Sequence, residues 1–280
     1  MDRRSHRHSE TAAPTHKPHS LPQWLSSPAG RHLLHWEQAQ CDRLLGDVFG
    51  FHALQLGLPQ LDALRSNRMP KRWLAGDVWS EPGLLPHATC LSAAATQPPL
   101  SLYADSIALP FPNACLDLMV LPHTLDLCVD PHAGLREVER VLVPEGRVLL
   151  FGFNPTSLWG LGHALGRPLP EVSDMIGHWR LRDWLRLLGF EVNALALGCY
   201  RPDLASARWF DRLSWLEGAG QRWWPILGSV YAVMATKRVH GMHLLSPAWK
   251  SPRARRARAV SAASREMQRD VSQAMKRERT

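Results

Sequence analysis

No uninterrupted apolar stretch of this chain approaches the ~20 residues that a helix needs to cross a bilayer. Also missing is any C-x-x-C pair. The five cysteines, Cys41, Cys90, Cys115, Cys128 and Cys199, lie scattered along 280 residues. That spacing fits neither a zinc site nor a disulfide framework and suits a reducing compartment. The opening MDRRSHRHSETAAPTHKPHS has basic residues but lacks the apolar run that follows them in a secretory signal. Together these absences predict a cytoplasmic protein with no membrane span and no structural metal.

What is present begins with an uneven charge. The formal net charge is +8, yet residues 241–280 alone carry ten basic against three acidic groups, and residues 1–20 four against two. The stretch 21–240 is therefore nearly neutral, and the basicity belongs to the ends. Residues 1–20 are rich in His, Ser and Pro without hydrophobic periodicity, and read as a disordered tail. Their histidines, His6, His8, His16 and His19, have no fixed geometry for a metal, so a solvated tail is the simpler reading. Residues 244–280 read as a second tail, disordered or partly helical. Its SPRARRAR run (251–258) is a solvated arm or a contact for nucleic acid, but no aromatic follows Trp249 to stack on bases.

Residues 21–243 are left as one domain, and they alternate between strand and helix signals. A preliminary helix is expected over 31–48. Apolar runs predict strands at 51–57, 87–93, 100–105, 116–121, 147–153, 190–197 and 229–236. A weak helix is expected near 61–68, and 70–86, with Pro70, Pro82 and Pro86, reads mostly as loop. Asp130-Pro131 starts a helix as N-cap and first helical residue. A further helix over 179–189 ends at Gly189. This rhythm predicts an α/β, doubly wound sheet with helices on both faces, whose ligands sit beyond the carboxyl ends of the strands.

The run YADSIALPFPNACLDLMVLPHTLDLCVDPHAGLREVERVLVPEGRVLLFG (103–152) resembles the type-11 group of class I S-adenosylmethionine-dependent methyltransferases. In that group an acidic residue precedes an "aLPFpd" turn, a "sfDlv" strand, and then "dp..alrEi.RvLkPgGrlli". WLRLLGFEV (184–192) and the last strand fit the same pattern, and the run 121–142 with GFNPTSLWGL resembles its YafS-like branch. The resemblance implies a Rossmann-like sheet of seven strands with the last antiparallel, S-adenosylmethionine as cofactor, and a methyl acceptor that the sequence does not identify. It further implies that Asp105 meets the adenine amino group, with Ser106 and Ile107 lining the adenine pocket. A turn cap is the alternative for Asp105.

Two departures from the family pattern bear on the cofactor. After the first strand the family has an acidic residue and Gly-x-Gly-x-Gly; here stands Gln55-Leu56-Gly57-Leu58-Pro59. Glycines let a backbone approach a ligand closely and turn into a helix. The family's ribose-binding carboxylate closes the second strand, where the expected frame has Leu91-Ser92-Ala93. The cofactor set expected on this basis is Gln55, Gly57, Ser92, Asp105, Ser106, Ile107 and Leu121. No Asn/Asp-Pro-Pro-Tyr/Phe motif follows the fourth strand. His123 and Asp126 in that loop are the candidates for a base, against the plainer role of hydrogen-bonded loop residues. Two functions remain: an active methyltransferase, or a binding scaffold on the same fold whose basic tail carries the affinity.

Overall fold

The computed structural model describes residues 21–77, 100–165, 175–204 and 206–239, with a few isolated positions besides. The chain divides into two compact units, Met1–Val239 and His240–Thr280. Both expected tails, the strand expected at 87–93 and Ser92 lie outside the described residues, apart from helical positions at 267–269 and 272.

Helices α1 (Leu21–Leu25) and α2 (Pro28–Leu45) precede β1 (His52–Leu56), β2 (Lys71–Asp77), β3 (Leu100–Ala104) and β4 (Leu116–Pro122). Helices α3 (Thr124–Leu127) and α4 (Pro131–Val141) lead into β5 (Leu142–Phe153). After α5 (Leu158–Ala164) and α6 (His178–Leu187) come β6 (Phe190–Gly198), α7 (Ala207–Arg212), α8 (Trp215–Trp223), a 3-10 turn (Pro225–Leu227) and β7 (Val230–Lys237). The strands form one sheet in the order β3-β2-β1-β4-β5-β7-β6. β1 to β5 run parallel, and β7 lies antiparallel between β5 and β6. This is the expected Rossmann-like α/β sheet with its last strand antiparallel.

Strand alternation sorts the side chains into two cores, as a period of two requires. Ala53, Leu118, Val120, Leu149, Phe151, Phe153, Val230 and Ala232 face α1 and α2, together with Leu33, Cys41 and Leu45 of α2. Leu54, Leu56, Met119, Leu121, Val148, Leu150, Val233 and Ala235 face α4 and α6. The helix starts follow local rules. Ser27 accepts from the Gly30 N–H ahead of α2, and Asp130 accepts from the His132 and Ala133 N–H groups ahead of α4, each helix opening on proline. Gly189 takes φ +79 after α6, the left-handed cap for which glycine is suited.

Two expectations need correction. The strand beside β1 is Lys71–Asp77, within a stretch that its prolines marked as loop. Those prolines flank the strand and none interrupts it, so no ladder N–H is lost. Residues 61–68 form turns in place of a helix. Their backbone is bound by the buried Gln55 of β1, and that competes with helical pairing.

The strand-end loops and a buried histidine array

The strand order reverses between the parallel neighbours β1 and β4, whose chains leave toward opposite faces of the sheet. Their carboxyl ends therefore open a crevice. β1 leaves through Gly57 at φ +83 and Leu58 at φ +44. The Gly57 N–H donates to the Ala75 carbonyl on β2 at 2.8 Å. A Cβ at Gly57 would meet Thr124 Oγ1 at 3.3 Å, so glycine is needed there for both the dihedral angle and the space. Thr124 Oγ1 in turn donates to the Leu56 carbonyl at 2.7 Å, tying the loop after β4 to the end of β1.

Gln55 sits at the end of β1 but serves the loop itself. Buried at 3% exposure, it donates from Nε2 to the Leu58 and Leu61 carbonyls at 3.0 and 2.7 Å, and Oε1 accepts from the Ala63 N–H at 3.1 Å. With both ends of the amide committed, its part at the crevice is to shape residues 57–63.

β2 ends on Asp77, in register with Ala104 of β3. Asp77 thus closes the strand next to β1, the frame in which the family pattern puts its carboxylate and in which Ser92 was expected. Asp105 follows β3 directly, so two acidic residues leave adjacent strands side by side. Asp105 Oδ1 accepts from the Ile107 N–H at 3.0 Å, the turn-capping contact that stood as its alternative, and this leaves Oδ2 without that duty. Ile107 is exposed, while Ser106 is buried and donates to Cys128 Sγ at 3.3 Å. Leu121 is packed in the core on the α4 and α6 side.

The loop that follows Asp105 is held from α4. Glu137 accepts from the Leu109 N–H at 2.8 Å, and Arg140 donates to the Leu109 carbonyl at 3.1 Å and to Asn113 Oδ1 at 2.6 Å. These two are the E and R of the "alrEi.R" pattern. Their spacing of three puts both on one side of α4, where they pair with each other and fix the 105–113 turn.

After β4 the chain enters His123, with φ +54. Its ring is fully buried, stacked on Phe153 with centroids 4.1 Å apart, and held from both sides. Nε2 donates to Glu37 Oε1 on α2 at 2.7 Å, and Nδ1 to Asp126 Oδ2 on α3 at 3.2 Å. The same Asp126 oxygen accepts from the Phe153 N–H at 2.9 Å. Burial alone would lower the His123 pKa, but the Glu37 and Asp126 carboxylates outweigh it and lift it to about 9. Burial also raises the Asp126 carboxyl above its ordinary range, against the pull of His123. A charged ring with both N–H groups engaged has no lone pair for an acceptor's proton. The array gives His123 and Asp126 a structural task, clamping α2 and α3 to the end of β4, which is the hydrogen-bonded role that stood beside the candidate base in the sequence.

Glu37 was missed in the sequence, though its signal is readable. Leu33, Glu37, Cys41 and Leu45 recur every four residues on the buried stripe of α2, so an acid stands where the core is. Among the described residues no helix is long and apolar enough to span a membrane, and no His, Cys, Asp and Glu group is arranged to hold a metal.

With this geometry in hand, comparisons with known proteins converge. A sequence profile of the methyltransferase domain matches residues 83–150. YafS of Escherichia coli (strain K12) is 30% identical over 263 residues, covering 89% of this chain and 97% of that protein. The fold is shared with a Haloferax volcanii methyltransferase solved with the Trm112 activator. That match has a TM-score of 0.54 at 20% identity and covers 80% of this chain and 98% of that one. A SAM-dependent methyltransferase of Thermotoga maritima gives a TM-score of 0.52 at 16% identity, over 75% of this chain and 91% of that one. The chain accordingly belongs to the class I S-adenosylmethionine-dependent methyltransferases, in the family that includes YafS.

Proposed function

We propose that the protein transfers the methyl group of S-adenosylmethionine to an acceptor, with the cofactor lying across the ends of β1, β2 and β3. The observation that carries this reading is the adjacency of three features at the strand ends. They are the Gly57 turn after β1, Asp77 closing β2, and Asp105 following β3 one position beyond the residue paired with Asp77. The donor set suits the cofactor in kind: a close-approach turn for its backbone-facing side, and two carboxylate positions for its hydroxyl and amino groups. S-adenosylmethionine, when bound, supplies an electrophilic methyl group on a sulfonium centre. In this reading Asp77 takes the ribose hydroxyls, Asp105 Oδ2 the adenine amino group, and Ser106 and Ile107 border the adenine. Gln55 keeps the loop in shape, and the Glu37–His123–Asp126 clamp closes the floor behind β4. Transfer then depends on alignment of the acceptor more than on a proton-accepting side chain. A reducing, cytoplasmic setting belongs to the same reading, supported by Cys41, Cys115, Cys128 and Cys199, which are all free thiols.

Titration calorimetry of the full chain with S-adenosylmethionine and with S-adenosylhomocysteine tests this. Binding is expected, and Asp77→Asn and Asp105→Ala should each weaken it about tenfold to a hundredfold. That follows because a hydrogen bond to a charged group contributes ~1.5–3 kcal/mol and each ~1.4 kcal/mol is a factor of ten. No binding heat and no thermal shift at millimolar ligand would reject the proposal and leave the scaffold reading.

A further inference from the structure

Residues 221–227, Gln-Arg-Trp-Trp-Pro-Ile-Leu, are all exposed, although five of the seven are apolar. Trp223 is 71% exposed, Trp224 54% and Ile226 56%. Single exposed apolar residues are ordinary, whereas a contiguous run points to a partner. The run is also held rigid. Asn154, just beyond the carboxyl end of β5, donates from Nδ2 to the Ile226 and Gly228 carbonyls at 2.9 Å each. Tyr200 donates its hydroxyl to the Pro225 carbonyl at 3.0 Å, and the Trp224 and Leu227 N–H groups close the turn on Gly220 and Trp224. An apolar tip whose backbone is held at Trp224, Pro225, Ile226 and Leu227 loses little conformational entropy when it is covered.

The surface extends back along α8 and α7. Trp215 and Arg222 lie seven residues apart, two turns on one face of α8, while Gly220 packs inward against Tyr200. Trp209 on α7 is exposed, with the Arg212 guanidinium 5.3 Å from its ring centroid. The charges are one-sided. Arg208, Arg212 and Arg222 are exposed against Asp211 alone. Glu217 is spent inward, accepting from the Cys199 and Tyr200 N–H groups and pairing with His32. Tryptophan with arginine at the rim and short aliphatics at the tip is the composition that settles at a lipid–water boundary. Pro225, Ile226 and Leu227 at the tip have no aromatic ring to stack on a base, which disfavours single-stranded nucleic acid as the occupant.

We propose that α7, α8 and the 224–227 turn form a docking surface for an anionic lipid bilayer. Trp223, Trp224 and Ile226 enter the headgroup–acyl boundary, and the three arginines meet lipid phosphates. The test is co-sedimentation of the full chain with vesicles of equimolar phosphatidylglycerol and phosphatidylcholine, beside vesicles of phosphatidylcholine alone. A variant carrying Trp223→Ser, Trp224→Ser and Ile226→Ser keeps every basic residue of the chain. The expected results are preferential sedimentation of the wild-type chain with the anionic vesicles, and a partition coefficient about tenfold lower or less for the variant. Arg222→Glu, at an exposed position, should weaken partition in the same direction and serves if the triple variant does not fold. Equal partition of the wild-type and both variants would overturn the proposal and credit the basic residues of 241–280. Retention on single-stranded oligonucleotide that is lost in the variants while vesicle partition stays unchanged would overturn it in favour of nucleic acid. No sedimentation of the wild-type chain with either vesicle would overturn it outright.

Discussion

At the residue scale, the charge of His123 couples the clamp to pH. Its folded-state pKa of about 9 lies above the ordinary 6.5, so the proton is held more tightly in the folded chain than in the unfolded one. The stabilisation is fully present below pH 6.5 and is lost as pH rises through about 9. Urea unfolding at a series of pH values should show stability falling across that window by an amount on the order of 3 kcal/mol. His123→Gln should flatten this slope and lower stability at neutral pH by ~3–5 kcal/mol, because it strands Glu37 and Asp126 without their counter-charge. An unchanged pH slope in the variant would mean that the ring is neutral in the folded protein. Two of the three members of this array were legible in the sequence. His123 and Asp126 drew notice by standing in the loop after the fourth strand. Glu37 did not, because a charge on a helix is read as solvent-facing unless its place on the stripe with Leu33, Cys41 and Leu45 is weighed.

At the scale of elements, β1 and its loop behave as one unit because of Gln55. Gln55→Ala removes the donor for the Leu58 and Leu61 carbonyls and the acceptor for the Ala63 N–H, in a buried place. Each stranded group costs ~1–3 kcal/mol before the loop relaxes. The melting temperature should fall, and hydrogen exchange at the Ala63 amide should quicken while β4 and β5 stay protected. Exchange that rises uniformly over the sheet would assign Gln55 a global role. The same unit explains what sequence could and could not give. α4 was legible to the residue at its start because Asp130 and Pro131 are local signals. β7 and β6 were legible from apolar runs. β2 was not, since each of its faces carries only one large apolar group, Trp73 on one and Leu74 on the other, and Pro70 stands directly before it. That single misplacement put Asp77 in a loop ahead of the expected strand and out of the carboxylate's frame, whereas it closes β2. The exposed turn at 224–227 could not be told from core, because Trp-Trp-Pro-Ile-Leu looks the same in sequence whether buried or exposed.

At the scale of the whole molecule, the sheet is a parallel half joined to an antiparallel end through β7. β7 is buried along nearly its whole length and pairs with β5 on one side and β6 on the other. A chain ending at Gly228 would keep six strands yet leave β5 and β6 with open, apolar edges. Such a chain should show no cooperative thermal transition and should associate in solution, as read by light scattering. A sharp transition from a monomer would show instead that the parallel half folds alone.

The central place of β7 has a further consequence, in time rather than space. Synthesis runs from the N-terminus, so β1 to β6 are all made before the strand that joins β5 to β6 exists. Pairing of β7 with β5 links residues 77 to 89 apart in the chain, from Phe153 with Val230 to Arg147 with Thr236, and such non-local closure is slow. During that interval the nascent chain presents two unpaired edges and the apolar strip of Phe151 and Phe153. Its yield in a cell should therefore respond to the supply of chaperones that mask strand edges more than to small changes in final stability.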